Sequence, residues 1–158
     1  MREITLILHF LGLGLLVSAS VAGILLNRQY KKAEDLRTKA LLLRAAKPIG
    51  LLSPVGMVIM LITGIGNMHA LGVGILTLGW LSAKLVIFAI AVIGGVMMGI
   101  VARKRGALVA SMAAGGAGPD AEKKLSSYDS AIMMGYIILP LLLIAILYLS
   151  VYGRLGGQ

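Results

Sequence analysis

The chain has no cysteine, which excludes disulfides, iron–sulfur clusters and thiol catalysis. Its only carboxylate side chains are Glu3, Glu34, Asp35, Asp120, Glu122 and Asp129, all at ends of, or between, apolar runs. A pump built on a proton relay wants a carboxylate in mid-membrane, so that class is set aside. Charged residues make up 13% of the sequence against 59% hydrophobic, with a mean hydropathy of +0.97. So few charges do not cover the surface of a soluble domain. No serine-nucleophile constellation, phosphate loop or metalloprotease spacing occurs.

What the chain has instead is long apolar runs, at 4–26, 48–68, 80–102 and 130–152. Lys84 is the one charge within them. Each run has about 20 residues or more, enough to cross roughly 30 Å of hydrocarbon at 1.5 Å per residue. The expected fold is an all-α membrane protein: a single domain over 1–158, an antiparallel bundle of four transmembrane helices. The first run reads as a retained span rather than a signal peptide, because Met1-Arg2-Glu3 is barely basic and the apolar stretch continues through Leu26.

The net charge of +9 comes from 15 Lys and Arg against 6 Asp and Glu. Its placement says more than its size. Basic residues crowd 27–47 and 103–129, while 69–79 holds no Lys or Arg. The positive-inside rule then puts both basic loops in the cytoplasm and both termini outside. Topology and attraction to anionic lipid account for the charge; with no basic-aromatic module, nucleic acid is not expected as a partner.

Within the first basic loop, Ala33, Leu36, Ala40 and Leu43 recur at helical spacing. The loop is expected to prolong the first helix or lie on the membrane surface, with Pro48 starting the second span. In the second, Gly115, Gly116 and Gly118 break structure and mark the most mobile segment expected, while Pro119, Asp120 and Glu122 suit the start of a helix. The outer loop is apolar, which suits a dip into the interface. Small residues at Gly14, Ser18 and Ala22, at Ala19 and Gly23, and at Gly95 and Gly99 offer faces for close helix contact. Pro54 and Pro140 are expected to bend their helices.

A histidine, His9, stands inside the first apolar run. It lies about 8 Å deep from the outer end of its helix. Lys84 lies about 6 Å deep from the same side, four residues past Trp80, which suits the outer aromatic belt. Asn67 and His69 close the second span, and Tyr148, Tyr152 and Arg154 the fourth. Each has an ordinary reading: His9 as polar glue between helices, Lys84 snorkelling to headgroups, His69 solvated. The functional reading is a haem site, with neutral His9 as iron ligand, Lys84 or Arg154 for the propionates, and His69 as a second candidate. Copper is the weaker metal, since most methionines lie away from Met68-His69.

The stretches I-L-H-F-L-G-L-G-L-L-V-S-A-S, P-I-G-L-L-S-P-V-G-M-V-I-M-L-I-T-G and G-W-L-S-A-K-L-V-I-F-A-I resemble a set of small four-helix bacterial membrane proteins. The set includes HemJ-type protoporphyrinogen oxidases, the CopD-like copper-resistance domain and DUF2269-type relatives. The likeness covers the first three spans. In the HemJ type an early histidine, a proline-containing second helix and P-W-L-x-x-K recur; His9, Pro54 with Gly64, and Trp80 with Lys84 match them. The resemblance implies haem b on His9, an essential Lys84, and porphyrinogen oxidation in a bacterial inner membrane. Departures bear on catalysis: V-S-A-S-V-A-G replaces an aromatic-rich stretch, Gly79 replaces the proline before the tryptophan, and a histidine at the end of the third helix is missing. The other reading is an accessory membrane subunit that packs on a partner or on its own copy.

Overall fold

The computed structural model describes residues 2–70, 72 and 79–154, and these form four helices: α1 (Arg2–Lys32), α2 (Leu36–Ala70), α3 (Gly79–Ala113) and α4 (Ala121–Arg154). All four are long and apolar enough to cross a membrane, so the chain is a multi-pass membrane protein. The apolar outer loop expected around 71–78 lies outside the described residues, apart from Gly72.

At 31 to 35 residues, the helices run about 46–53 Å, well past the hydrocarbon core of roughly 30 Å. The surplus lies at the basic end. Of 27–47, only Ala33, Glu34 and Asp35 are outside a helix, and of 103–129 only 114–120. The first basic segment thus neither continues α1 alone nor lies flat; it turns back at 33–35 and starts α2 there. Pro48 does not start the second span but sits inside α2, as Pro54 does. The missing Pro48 N–H deprives the Arg44 carbonyl of its helical donor, and Arg44 is exposed on the wet, basic side, where that loss is tolerated.

The turns have local causes. Asp35 caps α2: its Oδ1 accepts the Thr38 N–H at 2.8 Å, and its carbonyl accepts the Lys39 N–H at 3.2 Å. α3 ends in a Schellman motif, with Gly115 at φ +75°. The Gly115 N–H donates to the Met112 carbonyl and the Gly116 N–H to the Ser111 carbonyl, each at 3.1 Å. The Asp120 carbonyl accepts the Lys124 N–H at 3.0 Å to open α4.

α1 packs chiefly on α2 and α3 on α4; α2 also meets α3, and α1 touches α4 least, leaving α1 and α3 on a diagonal. Glycine sits in each contact. A Cβ on Gly56 would lie 2.7 Å from the Gly12 carbonyl oxygen, so α1 and α2 meet backbone to backbone. A Cβ on Gly135 would lie 2.7 Å from Met98 Sδ, one on Gly95 3.1 Å from Met57 Cε, and one on Gly23 2.8 Å from Tyr136 Oη. Of the two small faces on α1, Ala19 and Gly23 point inward, whereas Gly14 has open space and Ser18 is exposed.

Gly56→Ala should destabilise the protein by about 1–3 kcal/mol, the usual cost of overpacking. Gly14→Ala should be neutral or gain up to about 1 kcal/mol from helix propensity. Unfolding by SDS in mixed micelles reads both.

The Asp35 cap carries a pH signature. Its hydrogen bonds to the Thr38 backbone and side chain hold its carboxyl below the ordinary value. A depressed folded pKa adds stability above the unfolded pKa of about 4, lost as pH falls through the folded value. The difference in thermal midpoint between the native chain and Asp35→Ala should therefore be present at pH 7 and shrink towards zero well below pH 4.

Candidate functional site

Two polar layers stand out. The first lies at the end of the bundle away from the basic turns and holds His9. His9 is half-buried on α1 and its Nδ1 lies 2.8 Å from Thr63 Oγ1 on α2. The Thr63 hydroxyl has one proton, and its 2.6 Å contact with the Ile59 carbonyl takes it. Thr63 Oγ1 therefore accepts from His9 Nδ1–H, which puts the imidazole lone pair on Nε2. One helical turn outward, Thr5 Oγ1 donates to Asn67 Oδ1 at 2.9 Å. The Gly12–Gly56 contact makes both bonds reachable, because it brings the two helices close just below them. A Cβ on Gly64 would touch His9 Cε1 at 3.8 Å, so the ring lies over α2.

The other predicted residues stand on other helices or at helix ends. Lys84 is half-buried near the start of α3, diagonal to His9 but at the same end of the bundle. Trp80, also half-buried, precedes it by four residues. His69 is exposed at the end of α2. Tyr148 and Tyr152 stack on each other, ring centroids 6.2 Å apart, on the outside of α4. Arg154 ends α4. Among the described residues no three His, Asp or Glu side chains gather as a metal site.

Haem asks for a donor and for room. His9 supplies an imidazole, the donor type haem iron takes. Room at mid-depth is small. At mid-depth the four helices enclose a space of about 60 Å³, lined by Leu16, Ser20, Met57, Phe88 and Leu143 among others, against roughly 300 Å³ and upward for cofactor pockets.

The second layer, at the basic end, was not anticipated. Arg105 on α3 is only 3% exposed and reaches across the diagonal. Its Nη1 donates to Asn27 Oδ1 on α1 at 2.9 Å. Its Nε lies 2.8 Å from Asp129 Oδ1 on α4, an ion pair without hydrogen-bond alignment. Its guanidinium stacks on Tyr30, 3.7 Å from the ring centroid, and Tyr30 is itself 2% exposed. Lys39 covers the same ring at 5.6 Å. Arg103, Lys104 and Arg105 are indistinguishable in a run of three cations. On a helix only one can face inward, and Val109, fully buried one turn later, marks which. Asn27 and Tyr30, one turn apart where α1 becomes polar, were the available hint.

No family model, curated protein or solved structure matches the chain. The likeness to HemJ-type proteins accordingly rests on the quoted residues.

Arg105→Ala should cost about 1–3 kcal/mol, since it removes the hydrogen bond to Asn27 and the stacking on Tyr30 while water relieves the part-exposed Asp129. Arg105→Lys should recover little, because an ammonium does not stack flat and fork to two acceptors at once. His9→Ala should cost only about 0.6–1.7 kcal/mol, the range for interhelical hydrogen bonds in membranes. The same unfolding assay ranks the three.

Proposed function

We propose that the protein is an accessory subunit of a bacterial inner membrane, an antiparallel four-helix bundle with both termini outside, that packs through its small-residue faces against a membrane partner or its own copy. The observation that carries this reading is the outward set of small residues. Gly14 and Gly99 have nothing within 4 Å of a built Cβ, and Ser18 is exposed. Small residues on lipid-facing helices give up apolar contact unless another helix approaches. The inward glycines, by contrast, are all occupied within the chain. The topology is supported by the contact order, in which residue numbers fall along α2 as they rise along α1 (Thr5 with Asn67, His9 with Thr63, Gly12 with Gly56), and by the basic residues gathered at the 33–35 and 114–120 turns.

Reporter fusions at Lys39 and Gly157 should report opposite sides of the membrane; the same side for both would sink the topology. Light scattering of the detergent-solubilised chain should show an assembly that Gly99→Leu or Gly14→Leu reduces by one step. A native monomer that crosslinks to nothing in its membrane would remove the accessory reading.

A second reading keeps haem b, with His9 as ligand, Lys84 assisting and protoporphyrinogen-oxidase-like chemistry. The Nδ1–H bond to Thr63 favours it, because it fixes the tautomer in which Nε2 carries the lone pair. Haem would then lie against the bundle's flank or between copies, and it would supply the redox chemistry. A Soret band in the purified protein, lost in His9→Ala and kept in His69→Ala, would support it; a featureless visible spectrum would end it.

A further inference from the structure

The basic end holds a cleft that neither reading uses. Its volume is about 700 Å³ and it opens between the α1–α2 turn and the first turns of α4. One wall carries Lys31 from α1 and Lys39 from α2; the facing wall, α4, carries Glu122 and Asp129, with Ser126 between them and Ser130 beside Asp129. Among the described residues no ion pair closes across this gap, the Arg105–Asp129 pair lying behind it. Opposite charges are thus held apart on two walls, in a cleft whose foot is Met133, itself 43% exposed.

The depth of the cleft is informative. Lys31 lies four residues beyond Asn27, about 6 Å further along α1. With hydrocarbon ending near Asn27, Lys31 lies in the headgroup layer, about 5–7 Å thick on each side, and Glu122, about 10 Å beyond Asp129 on α4, lies at the watery edge of that layer. Met133, one turn from Asp129 on α4, lies back towards the hydrocarbon.

We propose that this cleft seats the headgroup of a phospholipid carrying both a phosphate and a primary ammonium, such as phosphatidylethanolamine. Lys31 and Lys39 face the phosphate, the α4 carboxylates and serines take the ammonium N–H groups, and an acyl chain leaves past Met133. A purely anionic headgroup matches only the basic wall and meets Glu122 with the wrong sign, Asp129 being already compensated by Arg105. A choline headgroup has the right charges but no N–H to donate. The proposal rests on the membrane reading alone, not on the partner or haem reading.

The test is native mass spectrometry of the full chain in detergent, titrated separately with dioleoyl phosphatidylethanolamine, phosphatidylcholine and phosphatidylglycerol. Phosphatidylethanolamine should bind at least about five-fold more tightly than either of the others. Lys31→Gln and Glu122→Gln should each weaken it by roughly two- to five-fold, the range of exposed charge pairs, while Arg103→Gln, the same charge change as Lys31→Gln but outside the cleft, should leave it unchanged. Both cleft positions are exposed, and unchanged helical circular dichroism verifies their folding. Equal binding of phosphatidylcholine, a preference for phosphatidylglycerol, or indifference to both cleft variants would overturn the proposal. So would displacement of the lipid by an equal concentration of soluble phosphoethanolamine, which would make the cleft a site for the free headgroup. Failure of the membrane reading itself shows separately, in the reporter fusions.

Discussion

A buried guanidinium at the basic end governs how the helices meet there. Arg105 is removed from water, so its charge demands partners. They come from other helices: Asn27 and Tyr30 from α1, Asp129 from α4. One side chain therefore ties three helices together, two of them on the diagonal where no backbone contact exists. Apolar packing at this level is confined to a few side chains, Val109 and Ile132 among them. α1 and α4 touch least of all adjacent pairs, and the helices here have left the hydrocarbon. Beside that tie, α1 and α4 stand apart enough to leave the cleft.

At the opposite end the fastening is of another kind. Gly12 and Gly56 bring two backbones into contact, and the resulting proximity lets His9 reach Thr63 and Thr5 reach Asn67. The hydrogen bonds follow from the glycine contact rather than creating it. The Thr63 hydroxyl also fixes the histidine tautomer, by giving its proton to its own helix at Ile59. A packing role and a ligand role for His9 thus share one geometry: the bond that glues the helices also aims Nε2.

Much of the architecture was legible because lipid leaves few options. Uninterrupted apolar runs must be helices, since every backbone group has to find its partner within the segment. The long basic segments were harder. Their helical spacing was visible at Ala33, Leu36, Ala40 and Leu43, but the turn at 33–35 depends on the Asp35 cap, and a lone aspartate among charges is a weak signal. Pro48 misled as a helix start, because a proline near water interrupts a helix less than its missing N–H suggests.

The sequence by itself determined the number of helices, their membrane-spanning character and the end at which the basic charge collects. These follow from hydropathy and length, which are additive along the chain. It also singled out His9 and Lys84, since a polar group in an apolar run is conspicuous. Only the tertiary structure decided which of three adjacent cations turns inward, which glycines meet another helix and which face outward, and that Lys31 and Glu122 line one cleft. Those outcomes depend on the rotation and register of each helix against its neighbours, set by contacts between residues as far apart as Asn27 and Arg105, and no local pattern carries that information.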